Sequence, residues 1–85
     1  MSFIKLMRQQ GTNKIDIKTF SALLSQGKKN FINNLEEDMK IIEDEAKRDR
    51  DEIFYIITKV NEKGELTNSQ WVELYSILKR YLIPR

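Results

Sequence analysis

Apolar residues recur at alternating steps of three and four through the middle of the chain. This spacing puts one side chain per turn on one side of an α-helix, as at the a and d positions of a heptad repeat. The series runs through Ile32, Leu35, Met39, Ile42, Ala46, Asp49, Ile53, Ile56 and Val60, and Asp49 alone breaks it. Because the sequence has no glycine or proline between Lys28 and Lys63, the pattern predicts one long helix over residues 30–61.

A highly charged stretch, EDEAKRDRDE, lies in phase inside this series at residues 43–52. Glu43 precedes Lys47 by four residues and Asp44 precedes Arg48 by four, which is the acid-to-base order that stabilises a helix. We therefore interpret the stretch as the solvated waist, or exposed middle, of the long helix. The whole helix would be about 45 Å long at 1.5 Å per residue. The alternative is an ionic docking surface for a basic partner.

Glycines mark the ends of the helices predicted for the N-terminal third. Gly11 follows a short apolar helix that begins near Phe3, and Gly27 follows a second helix that begins near Phe20. We therefore expect a short N-terminal helical hairpin over residues 1–29.

The C-terminal part has clear helix signals as well. Gly64 ends the long helix, and Thr67 followed three residues later by Gln70 has the spacing of a capping box, which opens a last helix over residues 67–83. Trp71 starts the apolar stripe of that helix, and we expect it in the core against the long helix. The sequence thus predicts an all-α single domain of 85 residues, with the C-terminal helix packed back on the long central helix.

The sequence also matches itself weakly at an offset of 51 residues. FIKLMR at 3–8 aligns with FYIITK at 54–59, and the segment 15–32 aligns with 66–83. Either a duplication or two similar amphipathic helix pairs explains this match.

Composition excludes several kinds of chemistry. The chain has neither cysteine nor histidine, so disulfides, thiolate nucleophiles, Cys/His metal sites and imidazole catalysis are ruled out. Its three glycines stand apart and form no phosphate-binding loop. The acidic runs fit a solvated helix face better than a metal site or a general acid, which needs a desolvated pocket. We expect no enzyme activity, catalytic residue, cofactor or metal.

The N-terminal segment lacks the apolar run of a signal peptide, and no stretch of the sequence is apolar enough to span a membrane. These features predict a cytoplasmic protein without a membrane partner.

Charge is unevenly distributed along the chain, although the net charge is only +2. Residues 1–33 carry six Lys/Arg against one Asp, whereas residues 34–52 carry nine acids against four bases. Such a basic segment can contact phosphates. The alternative functional hypothesis is therefore a nucleic-acid-binding regulator that uses Lys14, Lys18, Lys28 and Lys29.

The leading hypothesis comes from the long helix. Its ends can be covered by the flanking helices, but its middle is left short of cover by the chain's own residues, which favours a homodimer. The predicted partner or dimer interface consists of Leu35, Met39, Ile42 and Ala46. We therefore expect a small non-enzymatic protein–protein interaction module, a regulator or inhibitor that acts by occupying the surface of a partner protein.

Overall fold

A computed structural model describes residues 2–11, 16–42 and 46–82, and these residues form five α-helices and no strand. The helices are α1 (Phe3–Gln10), α2 (Ile17–Gln26), α3 (Lys28–Ile41), α4 (Lys47–Lys63) and α5 (Asn68–Lys79). The predicted all-α fold is confirmed.

The single long helix predicted over residues 30–61 is two helices in the structure. α3 ends at Ile41, and Ile42 has φ −98° and ψ 7°. Ala46, which precedes α4, is extended with φ −155° and ψ 101°. Of the charged stretch, residues 43–45 lie outside the described residues, and residues 47–52 form the first turns of α4.

α3 and α4 pack against each other as an antiparallel hairpin. Residues at equal distances from the connection share one groove: Lys40 lines it with Arg50, and Glu36 lines it with Phe54. The reversal of the chain therefore brings the two halves of the apolar series together.

Burial explains why the hairpin replaces the long helix. The heptad spacing is the same in both arrangements, but a straight helix leaves its middle exposed, whereas the hairpin turns both stripes into one interior. Six apolar members of the series are buried: Ile32, Leu35, Ile42, Ile53, Ile56 and Val60. Ile42, beside the connection, is 0% exposed, and full burial of such a side chain contributes about 1.5–3 kcal/mol.

The end of α4 and the start of α5 follow the sequence signals. Gly64 ends α4 in the left-handed conformation with φ 72°, which glycine adopts without a steric penalty. The backbone N–H of Gln70 donates to the Thr67 hydroxyl at 3.2 Å, and the Thr67 N–H donates to the Gln70 side chain at 2.9 Å, so the capping box is present. α5 packs on α4 as predicted, and Trp71 is buried in the core.

The two helices predicted for the N-terminal third are present as α1 and α2, and each packs on both α3 and α5. They meet each other through Phe3 and Phe20, whose rings lie edge to face with centroids 5.0 Å apart. Phe3 also contacts the ring of Phe31, which in turn meets Trp71 edge to face at 5.7 Å. Four helices therefore contribute to one aromatic cluster, while α4 closes the opposite side of the core between α3 and α5.

Candidate functional site

α4 carries an apolar surface that the rest of the described chain leaves exposed. Its inner positions are buried: Asp49, Ile53, Ile56, Ile57 and Val60. On the opposite side, Phe54 is 60% exposed and Tyr55 is 47% exposed. At 100° per residue, these two aromatic residues share one stripe of the helix with four polar residues. We call this stripe the α4 outer face; it consists of Lys47, Asp51, Phe54, Tyr55, Thr58 and Glu62.

Several side chains of the α4 outer face make local contacts within the helix. The Thr58 hydroxyl donates to the carbonyl oxygen of Phe54 at 3.0 Å. The ammonium of Lys59 lies 5.3 Å from the centroid of the Tyr55 ring and 3.6 Å from a carboxylate oxygen of Glu62. A surface that is already ordered loses less conformational entropy when a partner binds.

An open groove of about 540 Å³ runs beside this face, between α3 and α4. Its residues are Glu36, Met39, Lys40, Arg50, Phe54 and Ile57. Met39 is half-buried, and its flexible thioether side chain adapts easily to the shape of a partner. The apolar surface of Phe54 therefore continues sideways toward α3.

The structure separates the four residues predicted as a partner or dimer interface. Leu35 and Ile42 are 0% exposed within a single chain, so the chain itself covers these two positions. Met39 reaches the groove, and Ala46 is half-buried at the start of α4. The exposed surface lies instead on the α4 outer face. The sequence contained its signal, because Phe54 and Tyr55 fall outside the three-and-four stripe.

The predicted basic residues are exposed where the structure describes them. Lys18 lies in the first turn of α2, and Lys28 and Lys29 lie in the first turn of α3. Gly27 makes no side-chain cap for α3, and lysines occupy the first two positions of this helix. Lys14 lies outside the described residues.

Asp49, which interrupts the apolar series, has a structural role that the sequence did not indicate. Its buried carboxylate accepts a hydrogen bond from the Tyr81 hydroxyl at 2.6 Å and one from the Arg80 guanidinium at 2.7 Å. The Arg8 Nε donates to the carbonyl oxygen of Tyr81 at 3.0 Å. These contacts join α1, the start of α4 and the segment after α5.

Asp38 is a second buried carboxylate with a structural role. It accepts hydrogen bonds from the backbone N–H of Phe3 at 3.2 Å and of Ile4 at 2.9 Å, so a residue of α3 caps the start of α1. Burial raises the pKa of Asp38 to about 7, although the hydrogen bonds from Ile4, Phe3 and Ser2 oppose the rise.

Glu52 and Glu73 form a carboxyl pair between α4 and α5. Their hydrogen bond is the main cause that raises the pKa of Glu73, with partial desolvation as a smaller cause. Glu73 is exposed to solvent, so the pair lacks the dry pocket that tunes a general acid. We assign no catalytic role to it.

Across residues 2–11, 16–42 and 46–82, no group of three or more acidic side chains is arranged to hold a metal ion. In the same residues, no helix has the length and apolar character that a membrane crossing requires.

Comparison of the chain with protein-family models, with curated proteins and with solved structures gives no significant match.

Proposed function

We propose that this protein is a small non-enzymatic interaction module that acts by occupying the surface of a partner protein, as a regulator or an inhibitor does. The observation that carries the proposal is the exposure of Phe54 and Tyr55, at 60% and 47%, on an ordered helix. Aromatic side chains supply much of the binding energy at protein interfaces, because they bury a large area and have few rotatable bonds.

The surroundings of the two aromatics fit the same function. Protein interfaces commonly have an apolar centre inside a polar rim. Phe54 and Tyr55 lie midway along the α4 outer face, one on each lateral edge. Exposed charged residues lie toward its two ends, with Lys47 and Asp51 at one end and Glu62 at the other. The rim contains both signs of charge, which favours a protein surface over a uniformly anionic partner.

Nucleic-acid binding is the second candidate function. It is supported by the exposure of Lys18, Lys28 and Lys29 at the starts of α2 and α3. Phosphates are attracted to lysines and to helix N-termini together. This basic surface includes no residue of the α4 outer face, so substitutions can test the two functions separately.

Photo-crosslinking in the cells that naturally make the protein tests the leading function. We expect benzoylphenylalanine in place of Phe54 to form covalent products with protein, whether with the same chain or with another. The matched control carries the probe in place of Val72, an exposed aliphatic residue on α5 at 54%, and should give little product. Equal yields at both positions, or no product from position 54, would contradict the proposed function.

A further inference from the structure

We infer that the α4 outer face binds a second copy of this chain, in an antiparallel α4–α4 pair with a two-fold axis between Phe54 and Tyr55. This inference rests on the proposed function and names the partner for the same face. A two-fold contact uses one patch twice, so the patch must be complementary to itself.

The apolar centre of the face meets this requirement. In an antiparallel pair, a residue that precedes the axis in one copy lies level with a residue that follows the axis in the other copy. The two residues are the same number of positions away from the axis. Phe54 of each copy then lies level with Tyr55 of the other, and Asp51 lies level with Thr58. The four aromatic rings would flank the axis, with Phe54 beside Phe54 on one side and Tyr55 beside Tyr55 on the other, where offset or edge-to-face contacts stabilise each pair.

The charges of the face meet the requirement as well. Lys47 and Glu62 are equally far from the axis, about 11 Å on either side at 1.5 Å per residue. Lys47 of one copy therefore lies level with Glu62 of the other, and symmetry makes two such pairs. A parallel pair would instead place Lys47 level with Lys47 and Glu62 level with Glu62, and this repulsion favours the antiparallel arrangement.

The size of the face sets the expected affinity. α4 has 17 residues and is about 25 Å long, so one face about 10 Å wide offers roughly 250 Å². A stable complex commonly buries about 800 Å² on each partner. Even with the adjoining α3–α4 groove included, we expect a weak dimer with a dissociation constant in the micromolar range.

Sedimentation equilibrium of the full chain tests the location of the contact. We expect the wild type to pass from monomer to dimer between about 1 and 500 µM, the range in which micromolar dimers form. Phe54→Asp should remain monomeric at every concentration, because it places a charge at the centre of the contact. Val72→Asp is the matched control and should dimerise like the wild type. Circular dichroism shows whether both variants keep their helices.

A charge exchange tests the register. Lys47→Glu and Glu62→Lys should each weaken dimerisation about tenfold, because each creates two repulsive pairs, and the double variant should regain an affinity within about threefold of the wild type. Lys47→Glu places an acid in the first turn of α4, where it suits the helix dipole, so loss of the fold is not expected. Lys28→Glu, at the corresponding first position of α3, is the control and should leave dimerisation unchanged.

Each outcome bears on a different statement. A wild type that is monomeric throughout overturns the inference; if position 54 still crosslinks to another protein, the proposed function stands. A dimer that survives Phe54→Asp places the contact elsewhere and overturns the inference. A dimer that is lost with Phe54→Asp but does not respond to the charge exchange overturns the antiparallel register.

Discussion

The hydroxyl of Tyr81 donates a hydrogen bond of 2.6 Å to the carboxylate of Asp49, which is 6% exposed. The backbone of the same tyrosine accepts from Arg8, which lies 73 positions earlier in the chain. Tyr81, which lies beyond α5, therefore joins Arg80 in satisfying a buried acid at the start of α4 and also contacts α1. This relationship makes Asp49 a tertiary contact of the hairpin, although its sequence context is that of a solvated helix.

Tyr81→Phe should lower the free energy of unfolding by about 1–3 kcal/mol, because it leaves a buried carboxylate oxygen without one of its donors. Urea denaturation followed by circular dichroism measures the loss. Tyr55→Phe is the matched control: its ring lies on the surface, and its change should stay within about 0.5 kcal/mol. Equal midpoints for the two variants would show that the Asp49–Tyr81 contact does not stabilise the fold.

Asp38 should give the protein a pH-dependent stability. Its pKa rises from the usual value of 3.8 to about 7 on folding because the carboxyl is buried. The folded state then holds this proton more tightly than the unfolded state. The stabilisation is present at pH 4 and is lost as the pH rises through about 7, by up to about 4 kcal/mol.

Urea midpoints measured between pH 4 and pH 8 test this statement. In Asp38→Asn, which keeps an acceptor oxygen but does not titrate, the decline attributed to Asp38 should be absent. Asp16→Asn is the contrasting control. Asp16 is exposed, and the backbone N–H of Thr19 lowers its pKa. The contribution of Asp16 to stability is therefore present above about pH 4 and is lost as the pH drops below that value. The same decline in wild type and Asp38→Asn would contradict the assignment.

Ile42→Ala should destabilise the monomer by about 2–5 kcal/mol, because it leaves a cavity at a position that is 0% exposed. Val72→Ala, on the surface of α5, should change stability by less than about 0.5 kcal/mol. Chemical denaturation at two protein concentrations separates core from interface: the loss for Ile42→Ala should be the same at both. A loss of stability that is seen only at the higher concentration would instead show that Ile42 lies in a subunit interface.

The basic surface should bind nucleic acid weakly. We expect mixed-sequence duplex DNA to dissociate near physiological ionic strength of about 150 mM, because only a few lysines are available to displace counterions. Fluorescence anisotropy over a salt series measures this. Micromolar binding at that salt concentration, lost in the double variant Lys28→Glu with Lys29→Glu but retained in Lys63→Glu, would make nucleic-acid binding the better account of the protein.

The sequence predicted which positions form the apolar side of a helix better than it predicted the direction of the chain or which residues cover that side. The three-and-four spacing identified Leu35, Ile42, Ile53 and Ile56 as apolar positions on one side of a helix, and all four are buried. The same spacing fits a straight helix and a hairpin equally, because each helix keeps its own stripe when the chain reverses. No glycine or proline marks this reversal, so it could be recognised only from the packing.

The buried acids were unpredictable for a different reason. Asp38 binds backbone groups 34 and 35 positions away, and Asp49 binds side chains 31 and 32 positions away. The apolar series placed Asp49 on the inner side of its helix, but no local signal identified the partners of either acid, because these depend on where distant helices come together. Phe54 and Tyr55 could have been recognised earlier, since they lie on the side of the helix opposite the apolar stripe.

The link from Arg8 to Tyr81 has a consequence for the order in which the protein acquires its structure during synthesis. α1 has eight residues, too few to be a stable helix by itself. Its partners arrive late, because Asp38 is made about 30 residues after it and Tyr81 more than 70. A ribosome-bound chain that stops before residue 81 leaves the acid at position 49 without its phenol donor and Arg8 without its carbonyl acceptor. We expect such a nascent chain to remain sensitive to proteases, and the native fold to close only when the segment after α5 leaves the exit tunnel.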